Sequence, residues 1–73
     1  MIEHHFVICA DNTGYEASLE RRKLYEVISD PDAAQHEQLR VIDESGEDYL
    51  YPKSFFIGVD LPQKVIDRIA LTA

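Results

Sequence analysis

The chain has no tryptophan, a single cysteine, and only three glycines and three prolines among its 73 residues. A lone thiol, Cys9, excludes an intrachain disulfide, the usual staple of very small secreted domains. No linker, low-complexity tract or internal repeat interrupts the chain. Basic residues are also scarce: seven Lys and Arg stand against fourteen Asp and Glu, leaving a net charge of −7. That balance favours solubility and disfavours nucleic acid and anionic membrane surfaces as partners. No apolar run approaches the roughly 20 residues of a membrane helix. The start, Met1-Ile2-Glu3-His4-His5, lacks the cationic and apolar regions of a signal peptide. A reducing cytoplasm is therefore the expected location.

What is present is enough to fold. Apolar residues make up 45% of the chain and charged residues 29%, a globular composition rather than a disordered one. A chain this short supports one core and buries only about 60% of the surface its unfolded form exposes. Residues 1–73 are read as one domain.

Phe6 to Ala10 is a short apolar run with β-branched members, closed by the turn formers Asp11-Asn12-Thr13-Gly14, and predicts a first strand. Tyr15 to Ser18 reads as a second, irregular strand, and Leu19 to Lys23 holds helix formers in too short a run for an independent helix. Leu24 to Ile28 is strand-like and ends at Ser29-Asp30-Pro31-Asp32. Ala33 to Gln38 reads as a polar loop or at most one helical turn. The strongest hairpin signal follows, with Leu39 to Ile42 leading into Glu44-Ser45-Gly46-Glu47 and Tyr49 to Tyr51 returning. After Pro52-Lys53-Ser54, residues Phe55, Ile57, Val59 and Leu61 alternate with Gly58 and Asp60 as a last strand. Pro62 sits where a helix would start, and Leu61, Val65, Ile66, Ile69 and Ala70 form a stripe at helical spacing, predicting a helix over 63–71 that faces the strands. The fold class expected is mainly β: an antiparallel barrel or strongly curved sheet of about five strands with a C-terminal helix.

Three segments carry a resemblance. Leu24 to Ile28 resembles the strand after the long first loop of Src-homology-three (SH3) barrels, Gln38 to Ser45 the next strand, and Gly46 to Phe56 the segment that leaves the hairpin and enters a helical turn at a proline. The resemblance spans residues 23–60 and implies an SH3-like barrel. It implies no proline-rich ligand, because the chain has no tryptophan and no Ala-Leu-Tyr opening strand. The string Arg22 to Phe55 is also similar to short bacterial proteins, which implies a bacterial cytoplasmic protein and no particular activity.

The chemistry-bearing residues form no catalytic or metal signature. His4 and His5 are neighbours, and on a strand they point to opposite faces, so at most one joins Cys9 or the distant His36. Asp43, Glu44, Glu47 and Asp48 crowd one turn without the spacing of a calcium loop, and read as charges that keep a hairpin soluble. No nucleophile elbow, phosphate loop, dinucleotide fingerprint or zinc-helix motif occurs. Neither a cofactor nor enzymatic activity is expected. Arg21-Arg22-Lys23 is the one basic run and the basis of the alternative reading, a nucleic-acid-associated small barrel. The leading reading is an accessory or protein-interaction module. Tyr15, Tyr25, Tyr49, Tyr51 and Phe55 supply its aromatics, and Tyr49 and Tyr51 share one strand face. The candidate site is Tyr49, Tyr51 and Phe55 with Glu47 and Asp48 at the rim, which would select a protein or peptide of basic character.

Overall fold

A computed structural model describes residues 5–72. Its core is a five-stranded antiparallel sheet built from β1 (His5–Cys9), β2 (Leu24–Ile28), β3 (Gln38–Ile42), β4 (Asp48–Pro52) and β5 (Phe56–Val59). Two short helices are added, α1 (Pro31–Gln35) between β2 and β3, and α2 (Gln63–Thr72) after β5. The strands lie in the order β4-β3-β2-β1-β5. The sheet is open: β4 and β5 are its two edges, and among the described residues they do not pair with each other.

Local chemistry accounts for the junctions from β2 to β5. Asp30 caps α1, its carboxylate accepting the Ala33 N–H at 3.1 Å, and Pro31 occupies the first turn, where a missing N–H is harmless. Glu37 ends the helix with φ of 57°, a left-handed conformation more often given to glycine. Ala33 to Gln38 is thus not purely loop, since the last three residues of α1 extend into it. At the β3–β4 hairpin, Gly46 supplies φ of 84°, while Asp43 Oδ1 accepts from Ser45 N at 2.9 Å and from Ser45 Oγ at 2.5 Å. Pro52, with φ of −58°, leads into a 3₁₀ turn over Lys53–Phe55, after which Phe56 N–H bonds back to Lys53 O.

The strand pairings place one apolar set on the covered face. Val7 opposes Tyr25, Val27 opposes Val41, Leu39 opposes Tyr51 and Cys9 opposes Phe56. Their side chains share a face because alternate residues along a strand do so. Leu19, from the loop between β1 and β2, lies over that face and is fully buried with Val41 and Cys9. Burying one such leucine stabilises by about 1.5–3 kcal/mol, a large share for so small a core. Residues 10–23 form this loop with no strand, so Tyr15 to Ser18 does not extend the sheet.

Two expectations near the C-terminus change. The strand begins at Phe56, with Phe55 in the 3₁₀ turn, so Phe56 and Gly58 face the core side. Ile57 points to the opposite face, 60% exposed. The alternation was legible; its phase was not, because the turn at Pro52 resets which residue starts the strand. In α2, Ile66 lines a hollow of about 420 Å³ with Val7, Val27, Leu39, Val59 and Leu61. Val65, by contrast, is 40% exposed. Ile69 and Ala70, the rest of the predicted stripe, lie outside the described side chains.

Candidate functional site

The loop over residues 10–23 is held by its own backbone first. Arg22 N–H bonds to Cys9 O at 2.7 Å and Cys9 N–H to Lys23 O at 3.0 Å, closing its base. Inside it, Leu19 N–H reaches Tyr15 O at 2.9 Å and Asn12 Nδ2 donates to Leu19 O at 2.9 Å. Two tyrosine hydroxyls then tie the loop to the β3–β4 hairpin. Tyr25 accepts from Glu20 N–H at 2.7 Å and donates to Glu44 Oε2 at 2.5 Å. Tyr51 donates to Asp43 Oδ2 at 2.6 Å and lies 3.0 Å from Ser18 Oγ. A backbone bond from Glu44 N–H to Ser18 O, 3.1 Å, runs between these two clasps.

The electrostatics follow from that geometry. Burial is the largest influence on Asp43 and pushes its pKa up, but donation from Ser45 Oγ, Tyr51 and Ser45 N together outweighs it and leaves the carboxyl below its usual range. Glu44 is also lowered, first by Lys23 and then by Tyr25. Both tyrosines are raised, by burial first and then, for each, by the carboxylate that needs its proton. They are therefore neutral donors across the physiological range.

On top of this clasp lies an aromatic cluster. Tyr15 meets Tyr51 edge to face with centroids 5.1 Å apart and Phe55 at 5.9 Å, while Phe56 approaches Tyr51 from the sheet at 6.3 Å. T-shaped pairs of this kind contribute about 0.5–1.5 kcal/mol beyond area burial. Tyr15 remains 42% exposed and Phe55 half-buried, so the cluster presents an aromatic surface seated on the buried Tyr51.

The five residues read from the sequence separate on this framework. Tyr51 is only 3% exposed, so it is a supporting core side chain rather than a groove wall. Tyr49 is 50% exposed and its hydroxyl donates to Glu47 Oε2 at 3.0 Å, which brings these two together at the surface. Asp48 points to the other face of β4 and takes Arg40 Nη1 at 2.9 Å, away from Tyr49. Phe55 joins Tyr15, a residue outside the expected site. The signal for Tyr15 was its place directly after the Asp11–Gly14 turn, where a loop aromatic must either pack back or stand in water.

The remaining candidates are placed as follows. Lys23 pairs with Glu44 at 2.6 Å and lies 5.9 Å from the Tyr25 ring centroid, while Arg21 and Arg22 are exposed on the loop. The hairpin carboxylates do not converge: Asp43, Glu44, Glu47 and Asp48 each take a different donor. Cys9 is buried, with its thiol 3.3 Å from Asp11 O. His36 Nδ1 sits 2.8 Å from Asp32 O, and His4 lies outside the described residues. Among the described residues no group of three potential ligands assembles as a metal site, and no helix is long and apolar enough to cross a membrane. Comparison with protein families, with characterised proteins and with solved structures finds no match to this chain.

Proposed function

We propose that the chain is a small non-catalytic interaction module of the SH3-like class, acting in the bacterial cytoplasm and taking a basic protein or peptide segment on its aromatic surface. The strand order, the long β1–β2 loop, the hairpin and the 3₁₀ turn before β5 support the class. So does the divided pairing of β2, whose residues 24–27 pair with β1 while only Val27 and Ile28 pair with β3, the arrangement by which one strand bends from one half of a curled sheet into the other.

The observation that carries the functional reading is the exposed Tyr15 braced by Tyr51 and Phe55. Rigid aromatics bury area at low entropy cost, which is why they dominate contact surfaces. Glu16 in the same loop and Glu47 beside Tyr49 add negative charge, and the net charge of −7 steers association toward cationic partners. The nucleic-acid reading is less favoured, because Lys23 is committed to Glu44 and only Arg21 and Arg22 remain of the basic run.

An array of short Lys- and Arg-containing peptides, followed by NMR shift mapping on the whole chain, tests the proposal. Shifts are expected at Tyr15, Tyr49 and Phe55. Tyr15→Ala should weaken binding by more than about 1 kcal/mol, and Glu47→Gln should chiefly slow association at low salt. Shifts confined to Arg21 and Arg22 on adding RNA or DNA, with steep salt dependence, would overturn it.

A further inference from the structure

The covered face of the sheet is sealed at one end and not at the other. Toward the Cys9 end of β1, Leu19 of the long loop lies over it, and Leu19, Cys9 and Val41 are fully buried. Toward the His5 end, the same face continues through Val7, Val27, Leu39 and Gly58. The register fixes this, since Val7 opposes both Tyr25 and Gly58, Val27 opposes Val41, and alternate residues share a face. Val27 and Leu39 are only half-buried there, although they belong to the core side. Leu61 and Ile66 supply the opposing wall, and between wall and floor lies the hollow of about 420 Å³. Sites for small molecules commonly measure about 300–1,000 Å³.

Gly58 is the second observation. A Cβ built on it would point to the covered face, into this hollow, and would meet nothing within 4 Å. Its φ is not positive, so the backbone there would take any residue. A larger side chain would have extended the core by simple burial. Glycine inside a strand weakens it and often marks a site that a ligand approaches closely.

The chemistry of the lining selects the ligand. Val7, Val27, Leu39, Leu61 and Ile66 are aliphatic and give water few hydrogen-bond partners, so an apolar chain displaces water there at a gain. The two polar side chains of the lining, His5 and Asp60, are both exposed and mark the mouth. No lysine or arginine stands among the described lining residues, whereas Asp60 brings a carboxylate. With a net charge of −7 as well, an anionic head is disfavoured and a cationic one attracted. We infer that this hollow binds a small aliphatic amine, its chain against Val7, Val27 and Leu39 and its ammonium at Asp60. The site lies at the other end of β1 from Tyr15 and Phe55, and does not depend on the aromatic surface.

Titrating the full chain with butylamine, hexylamine and octylamine, followed by methyl NMR, tests the inference. Shifts should concentrate on Val7, Val27, Leu39 and Ile66, and affinity should rise by up to about four-fold with each added methylene, the equivalent of burying one such group. Gly58→Leu places a side chain in the hollow and should abolish binding with the fold intact; Gly58→Val is the smaller filling variant should the leucine prevent folding. Asp60→Asn should weaken octylamine by about two- to five-fold, the range of an exposed ion pair, and leave octanol unchanged. Tyr15→Ala should bind octylamine as the parent does. The inference fails if octylamine leaves these methyls unmoved, if a folded filling variant binds as before, or if Asp60→Asn loses no affinity for the amine. Shifts spread equally over Ile57 and Leu50 on the outer face would mark surface adsorption and overturn it too. So would NOEs that pack residues beyond Arg68 against Val27 in the free protein, since the chain would then fill the hollow itself.

Discussion

Replacing Tyr51 with phenylalanine removes one oxygen and leaves the ring, so it isolates the clasp that this hydroxyl makes with Asp43 and Ser18. The lost hydroxyl donates at 2.6 Å to Asp43, a carboxylate only 6% exposed. A hydrogen bond to a charged group contributes about 1.5–3 kcal/mol, and a buried acceptor left short of a donor keeps its desolvation cost. Asp43 retains both Ser45 donors, which places the expected loss at about 2 kcal/mol rather than at the top of that range. Against a total of about 0.05–0.15 kcal/mol per residue, this is a sizeable fraction of the stability of such a domain. With a urea slope near 1 kcal/mol per molar, the midpoint should fall by about 2 M. The measurement is urea unfolding at pH 7, repeated in an Asp43→Ala background to complete a double-mutant cycle. The two changes should not add, because they remove the same bond, and a coupling of at least about 1 kcal/mol is expected. A Tyr51→Phe variant within about 0.5 kcal/mol of the parent, or full additivity with Asp43→Ala, would refute the reasoning.

Acid should unfold the protein through its hydrogen-bonded carboxylates. Asp43 and Glu44 have lowered pKa values in the folded state, so their contribution is complete above the unfolded values near ~4 and is lost as pH falls through the lowered ones; a pH series of urea midpoints should show this decline below pH ~4, shallower in Tyr51→Phe. Glu37→Gly should raise stability by roughly 0.5–1 kcal/mol, because φ of 57° strains a residue with a Cβ and suits glycine, and thermal unfolding will show it. The Cys9 thiol, raised in pKa first by burial, should react slowly with a thiol reagent in the folded protein and at the rate of a free thiol in concentrated urea; equal rates would place Cys9 at the surface.

Strands at Leu24–Ile28 and Leu39–Ile42, the Gly46 hairpin and the terminal helix were legible because their signals are local: β-branched runs, turn residues and an apolar stripe after Pro62. The interval between β1 and β2 was not. Residues 10–23 owe their path to contacts with partners more than 20 residues away, such as Ser18 with Tyr51 and Lys23 with Glu44, and no local propensity encodes these. The same holds at the candidate site. Alternation correctly put Tyr49 and Tyr51 on one face, but exposure depends on what lies above the face, and Leu19 and Tyr15 cover Tyr51 while Tyr49 stands clear.

Composition and pattern alone established an acidic, mainly β chain without an intrachain disulfide, because charge, cysteine count and hydrophobic period are properties of the chain itself. Tertiary structure decided that the five strands form one open sheet with β4 and β5 at its edges. It also decided which tyrosines serve the core and which face water. Both outcomes depend on pairing order and on the seating of one long loop, and these are set by contacts between segments distant in sequence, where neither residue alone announces its partner.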